Sequence, residues 1–157
     1  MFKATRELIK ARQQHTKFVV EAIEVKSIGG GKNNDCFMNA CTYKENNKGA
    51  KVVSGWIVNK FDTRTNSTAI IQHFWNVDAF GNHVDTTPLV GYEHEYVIDV
   101  DILIFGQIHY DELDTCVASS LLLCNGIFST MEISDDDIEI SFIPALKTEY
   151  FFSSQMV

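Results

Sequence analysis

The sequence predicts a single α+β domain, and three observations carry that expectation. Two segments of helical character stand before and among a series of β-branched and aromatic segments, without the regular strand and helix alternation that builds a parallel sheet. Two of the strand segments flank a tight turn, which joins antiparallel neighbours. The length, 157 residues with 45% hydrophobic and 22% charged positions, suits one ordinary core.

Residues 2–15 set Leu8, Ile9 and Ala11 among Arg, Lys and Gln with no Gly or Pro, the pattern of an amphipathic helix, expected to lie at the periphery within residues 1–16. Residues 17–28 (KFVVEAIEVKSI) are β-branched with partial alternation and read as a strand, which Gly29, Gly30 and Gly31 break into a loop. Asp35 is placed to cap a helix starting at Cys36, its carboxylate accepting an orphan amide, and that helix ends near Asn46 and Asn47. Residues 51–60 and 68–77, rich in Val, Ile and aromatic side chains, are strands separated by a polar loop at 62–67. Asp78-Ala79-Phe80-Gly81 suits a type I turn followed by a left-handed glycine, so 83–87 is the return strand and Pro88 ends it. Residues 95–99, 102–105 and 138–143 are further strands. The apolar run 113–124 reads as a buried helix, with Asp111 or Asp114 near its start and Asn125-Gly126 as its stop, and 135–137 as an acidic turn. The expected organisation is one domain over 1–157: a peripheral helix (1–16), a core that carries the chemistry (35–88), and a remainder (89–157) of strands with one buried helix.

Twenty-one acidic against thirteen basic side chains give a formal net charge of -8, which leaves no basic footprint for nucleic acid or an anionic membrane. The first residues are charged and lack the apolar centre of a signal peptide, and no stretch approaches the roughly 18 apolar residues needed to span a bilayer. A cytoplasmic protein with no nucleic-acid or membrane partner is expected; no feature sets an oligomeric state. Four cysteines, Cys36, Cys41, Cys116 and Cys124, are too few for a disulfide framework and are read as reduced thiols.

The informative set is Cys36, His73 and Asp85. Cys36 falls in the first turn of its helix, where unpaired amides and the helix dipole favour a thiolate. If the turn is the one named above, Asp78 faces Asn82 and Trp75 faces Asp85. His73 and Asp85 are then diagonal neighbours on one face, about 7–8 Å apart at the backbone. A carboxylate in that place orients the imidazole. Nucleophile, base and orienting acid together are the apparatus of thiol acyl transfer, with the Cys36 amide as one oxyanion donor. Asn33 and Asn34 are candidates for a second donor, against a plain role as turn formers. Trp75, on the face of His73, either walls the site or fills the core. Cys41 sits just over one helical turn beyond Cys36, a core-packing position.

The order and setting resemble the transglutaminase-like branch of the papain-like thiol enzymes: Cys at a helix start, His on one strand, Asp on the next. His73-Phe74-Trp75-Asn76 is similar to the family's His-x-Trp strand, and Val84-Asp85-Thr86-Thr87-Pro88 to its Asp-x-Thr strand. Cys36-Phe37-Met38-Asn39-Ala40 followed by Gly55-Trp56-Ile57-Val58 also resembles small phage and bacterial proteins of this type. The resemblance spans Cys36 to Pro88 and departs from the family in lacking the usual Trp beside the nucleophile. It implies a papain-like core with the nucleophile helix packed on an antiparallel sheet, and Cys36 as nucleophile, His73 as base and Asp85 as its orienter. It implies a cysteine-dependent enzyme acting on an amide bond of a protein or peptide substrate, without cofactor or metal. Peptidase, amidase, glutamine deamidase and transglutaminase chemistry share one acyl-thioester step, and the motif does not choose among them. Two other readings stand beside it. One is a non-catalytic interaction protein of phage or mobile-element origin that keeps the thiol-enzyme fold. The other is a metal-binding module using Cys36, Cys41, His73, His83, His94 and His109, although no paired Cys-x-x-Cys or His-x-x-x-His spacing supports it.

Overall fold

The computed structural model describes residues 1–60, 67–89, 91, 93–101, 116–117, 120–124, 133–134 and 138–144. Over these the chain is α+β, with helices α1 (Lys3–Gln13) and α2 (Cys36–Asn46). The strands are β1 (Glu21–Ile23), β2 (Lys26–Ser27), β3 (Lys51–Lys60), β4 (Ser67–Val77), β5 (His83–Asp85), β6 (Glu93–Ile98), β7 (Cys116–Val117), β8 (Ser120–Cys124), β9 (Ile133–Ser134) and β10 (Ile140–Pro144). Of the polar loop expected at 62–67, Ser67 opens β4 and the rest lies outside the described residues, as do the strand expected at 102–105 and the acidic turn at 135–137.

β3 and β4 are the spine of the main sheet. They are buried on both faces, which is why they read as nearly continuous apolar runs and not as clean alternation. They pair antiparallel with Gly55 opposite His73 and Ile57 opposite Ile71, and β6 flanks β3 with Tyr96 opposite Ile57 and Ile98 opposite Gly55. The sheet order is β1-β6-β3-β4-β5-β2, with β9 also on β4. The expected antiparallel sheet is in fact mixed, because β2 runs parallel to β5.

This sheet is strongly curled. β5 and β6 are separated in it by β3 and β4, and strands lie about 4.8 Å apart. Yet the Tyr96 hydroxyl of β6 touches the Asp85 carboxylate of β5 at 2.6 Å. Only a sheet bent towards that face allows the contact. The edge strands β1 and β2 are consistent with such closure, since only Glu24 and Val25 separate them. The concave face holds Ile57, Trp75 and Tyr96, with Ile23, Ile71 and Leu89 packed against them. On the convex face Leu8 of α1 and Ala40 of α2 pack with Trp56, Ile70, Phe74 and Val97.

α1 is not peripheral as its sequence suggests. Ala4, Thr5, Leu8 and Arg12 are buried, and Arg12 carries its charge into the core, where Nε donates to Asp99 Oδ2 and Nη2 to Asp101 Oδ2, both at 2.6 Å. Trp56 Nε1 donates to the same Asp99 oxygen at 3.1 Å. A helix with few large apolar residues looks like a surface helix when its buried face is anchored by an ion pair, which periodicity does not register.

Three other expectations change. The run at 113–124 contains strands β7 and β8, paired antiparallel with each other, and β8 also pairs with β10; the rest of that run is outside the described residues. A short apolar run is compatible with strand or helix, and the pairing decides it. The segment 17–28 supplies two short strands, β1 and β2, on opposite edges, so its partial alternation breaks where the chain crosses between edges. The return strand of the hairpin stops at Asp85 and does not reach Thr87.

Candidate active site

Cys36 is the first residue of α2 and is half-buried. Asp35 holds the N-cap position, but its carboxylate makes no capping hydrogen bond, contrary to expectation; its φ of -133° and ψ of 44° are neither helical nor extended, and the helix opens with Asn39 N donating to Asp35 O at 2.9 Å. The first-turn amides therefore do not spend their donors on that side chain.

His73 and Asp85 occupy the concave face, 6% and 1% exposed. The hairpin carries the expected register, with Asn76 opposite Val84 and Val77 opposite His83. Its turn is built by Gly81 at φ +85° and by the Asp78 carboxylate, which accepts from the Phe80 and Asn82 amides at 2.9 Å each. Continued to the end of β5, that register puts Trp75 across from Asp85 and His73 on the diagonal. The side chains meet there, His73 Nε2 and Asp85 Oδ2 lying 2.7 Å apart.

The Cys36 thiol stands beside the His73 ring, close enough to favour its protonated form, and both line one cavity. With Nε2 on Asp85, Nδ1 is the nitrogen left for sulfur. α2 itself packs on the convex face, Phe37 edge-on to Phe74 at 5.0 Å and Asn76 Nδ2 donating to Ala40 O at 2.8 Å. The thiol reaches a concave-face histidine because β5 leaves β4 early. Among the described residues no strand pairs with that side of β4 at His73, and the start of α2 stands at the opening.

Several residues that the sequence does not mark hold this arrangement. Asp85 Oδ1 accepts from the Thr87 amide at 2.9 Å, an Asx-type turn readable in hindsight from Asp-x-Thr. Asn39 ties the glycine loop and α2 to that turn: its Oδ1 accepts from Lys32 N at 2.9 Å, and its Nδ2 donates to Lys32 O at 2.8 Å and to Thr87 Oγ1 at 2.9 Å. A Cβ on Gly31 would come within 2.5 Å of the Asn39 amide carbon, so this clamp needs glycine there. Tyr96 contacts Asp85 from a strand distant in the sheet, and no sequence signal announces that neighbourhood.

Trp75 is fully buried. Its ring lies nearly parallel to His73, 24° at 6.2 Å, and its Nε1 donates to His83 Nδ1 at 2.9 Å. It backs the imidazole and does not line the cavity at Cys36, so its place is behind the base and not against a substrate. Gly55 makes room for it, since a Cβ there would stand 2.6 Å from Trp75 Cη2 and 1.9 Å from Val97 O.

Burial disfavours a charged His73, but the hydrogen bonds and charges of Asp85 and Cys36 outweigh it and hold the ring at about 9 against an ordinary 6.5. Asp85 is pushed up by burial and pulled down further by His73, Tyr96 and the Thr87 amide, leaving it below the usual carboxylate range. The raised His73 contributes stability that is fully present below pH 6.5 and lost as pH rises through about 9. The lowered Asp85 contributes above its ordinary 3.8 and loses this as pH falls. In urea unfolding, the gap between wild type and His73→Gln should shrink steadily from pH 6.5 to 9.5 and beyond, the last value being about half a unit above the ring's own. A gap independent of pH would contradict the ion pair.

A cavity of about 210 Å³ opens beside Cys36 and His73. Ile57, Ile71 and Leu89 form apolar wall, and Asn59 and Gln72 also line it. Asn59 Oδ1 lies 2.7 Å from His94 Nδ1, and burial lowers His94 towards its neutral form, so the imidazole N-H donates and the Asn59 Nδ2 donors remain for the cavity. Of the two loop asparagines, Asn34 lines this cavity, in the left-handed conformation at φ 55°, and Asn33 does not.

No family model, curated protein or solved structure matches the chain. Among the described residues no three His, Cys, Asp or Glu side chains are grouped to hold a metal ion, and no helix is long and apolar enough to cross a membrane.

Proposed function

We propose that the protein is a cysteine-dependent acyl-transfer enzyme acting on an amide bond, built on a papain-like core of the transglutaminase type. The observation that supports this most is the continuous line from the Cys36 thiol through the His73 ring to the Asp85 carboxylate at the mouth of a cavity. A histidine serving only to hold a hairpin would have no need of a half-buried thiol beside its ring.

In this reading the Cys36 sulfur attacks the amide carbon, a C-S bond forms, and the carbonyl electron pair moves onto oxygen, which the first-turn amides of α2 face. Asn34 is the loop residue placed to assist. The C-N bond then breaks, the pair returns from oxygen to carbon, and the protonated His73 delivers its proton to the leaving nitrogen. The thioester is released by water or by an amine, from which His73 takes a proton. Asp85 acts through His73, holding Nε2 so that Nδ1 points at sulfur. Apart from Cys36 and His73 the residues lining the cavity are uncharged, which suits a neutral acyl group whose carbonyl meets the Asn59 donors.

Incubation with a panel of peptides and amides, followed by mass spectrometry of the whole protein, should show a hydroxylamine-labile acyl mass on Cys36, and none in Cys36→Ala. A folded Cys36→Ala protein that still converts the same substrate would overturn the reading in favour of another nucleophile. Full biological effect without any adduct or turnover would favour the interaction protein.

A further inference from the structure

The Asp85 carboxylate has more partners than a triad needs. Its Oδ2 receives both His73 Nε2 at 2.7 Å and the Tyr96 hydroxyl at 2.6 Å, while Oδ1 receives the Thr87 amide at 2.9 Å. Tyr96 comes from β6 and crosses the whole concavity to arrive there, and its ring also meets His73 edge-on at 5.9 Å and Trp75 at 5.3 Å. It is 5% exposed and does not line the cavity at Cys36, so its hydroxyl does not face a substrate there.

We propose that Tyr96 is a positioning residue of the site, which fixes the Asp85 carboxylate by donating to the oxygen that holds His73 and so tempers the grip of that oxygen on the imidazolium. The inference rests on the thiol-enzyme reading above. Its physical basis is competition for one acceptor. An oxygen shared between two donors carries less negative charge towards each, and a hydroxyl on a buried carboxylate restricts its rotation. A base locked too tightly to its carboxylate keeps its proton and cannot deliver it to a leaving group. Tyr96 thereby keeps His73 within the range where it both gives and takes a proton.

The charged and titratable groups around the pair are few. Asp85 is faced by His73 from β4 and by Tyr96 and His94 from β6, and His73 by Asp85 from β5 and Cys36 from α2. His83 of β5 bonds to Trp75. Burial and the Asp85 charge raise the Tyr96 phenol above its ordinary value, so it stays a donor at every working pH.

The test is a titration of the His73 ring by nitrogen NMR in the whole protein, with the rate of Cys36 alkylation by iodoacetamide measured alongside in wild type, Tyr96→Phe, Asp85→Asn and His73→Ala. Tyr96→Phe removes only the hydroxyl. It should move the ring titration upward by about half to one pH unit, a part of the roughly 1–2 units that one hydrogen bond to a charged group is worth, whereas Asp85→Asn moves it downward. A purely structural tyrosine would leave the titration where it is. If Tyr96→Phe matches wild type while Asp85→Asn and His73→Ala differ from it, the inference fails and the thiol site stands. If His73→Ala leaves Cys36 alkylation unchanged, the thiol-site reading itself fails. Should Tyr96→Phe not fold, fluorotyrosine in place of tyrosine throughout the chain decides: a more acidic phenol donates more strongly to Asp85 and must lower the His73 titration, and an unchanged titration overturns the proposal.

Discussion

Asp85→Asn is expected to lower turnover at Cys36 by about 10²–10⁴-fold while the protein stays folded. The amide keeps the size of the carboxylate, and its remaining oxygen still accepts one of the donors that converge there. What is lost is the negative charge opposite Nε2. Without it the ring is free to turn either nitrogen towards the substituted amide, and the protonated form that serves the leaving group is no longer favoured. The rate of acyl-adduct formation on Cys36 reads the loss directly, and a urea midpoint close to wild type separates it from unfolding. If Asp85→Asn stays within about threefold of wild type while His73→Ala abolishes the reaction, the site is a Cys-His dyad and Asp85 is a strand residue.

Arg12→Leu has the largest expected effect on stability, a loss of about 3–5 kcal/mol. Arg12 and Asp99 are both fully buried and 2.6 Å apart, with the guanidinium 5.5 Å over the Phe142 ring. Burial pushes the Asp99 carboxyl up, and Arg12 with the Trp56 N-H opposes that shift. Removing the cation leaves a carboxylate in the core with only the indole and, at 3.3 Å, the Asp101 amide to answer it. The loss should appear as a lowered urea midpoint. Adding Asp99→Asn should recover part of it, because a neutral amide has less need of a counter-charge, and the double variant is then more stable than the sum of the two singles. A loss below about 1 kcal/mol would show that the pair contributes little beyond an apolar isostere. The pair bears on the site through the sheet, since Asp99 directly follows β6, the strand that carries Tyr96.

The legible part of the molecule was the part whose geometry is local. Asp78 to Gly81 define a turn, the turn defines the register of β4 and β5, and the register brings His73 to Asp85. Cys36 at the start of α2 was legible for the same reason, from the glycine loop and the apolar helix behind it. The failures have a common cause in long-range packing. Arg12 reads as a surface charge until Asp99, 87 residues away, is seen beneath it. Tyr96 reads as one more strand aromatic until the curl of the sheet carries it to Asp85. Trp75 was legible as a neighbour of His73, but which side of the ring it occupies depends on Gly55 across the sheet. The strands β7 and β8 were hidden because an apolar run has no period to distinguish a paired strand from a buried helix.

The central claim is that His73 activates Cys36, and competitive alkylation tests it most directly. Wild type and His73→Ala are treated with limiting iodoacetamide at pH 7, and labelling of each cysteine is followed by peptide mass spectrometry. Cys41 is the internal reference, because burial and Glu45 raise its thiol and keep it protonated. The account predicts that Cys36 is labelled at least about tenfold faster than Cys41, Cys116 and Cys124 in wild type, and that His73→Ala removes this lead. Labelling of Cys36 no faster than that of Cys41, or a lead that survives His73→Ala, would contradict it.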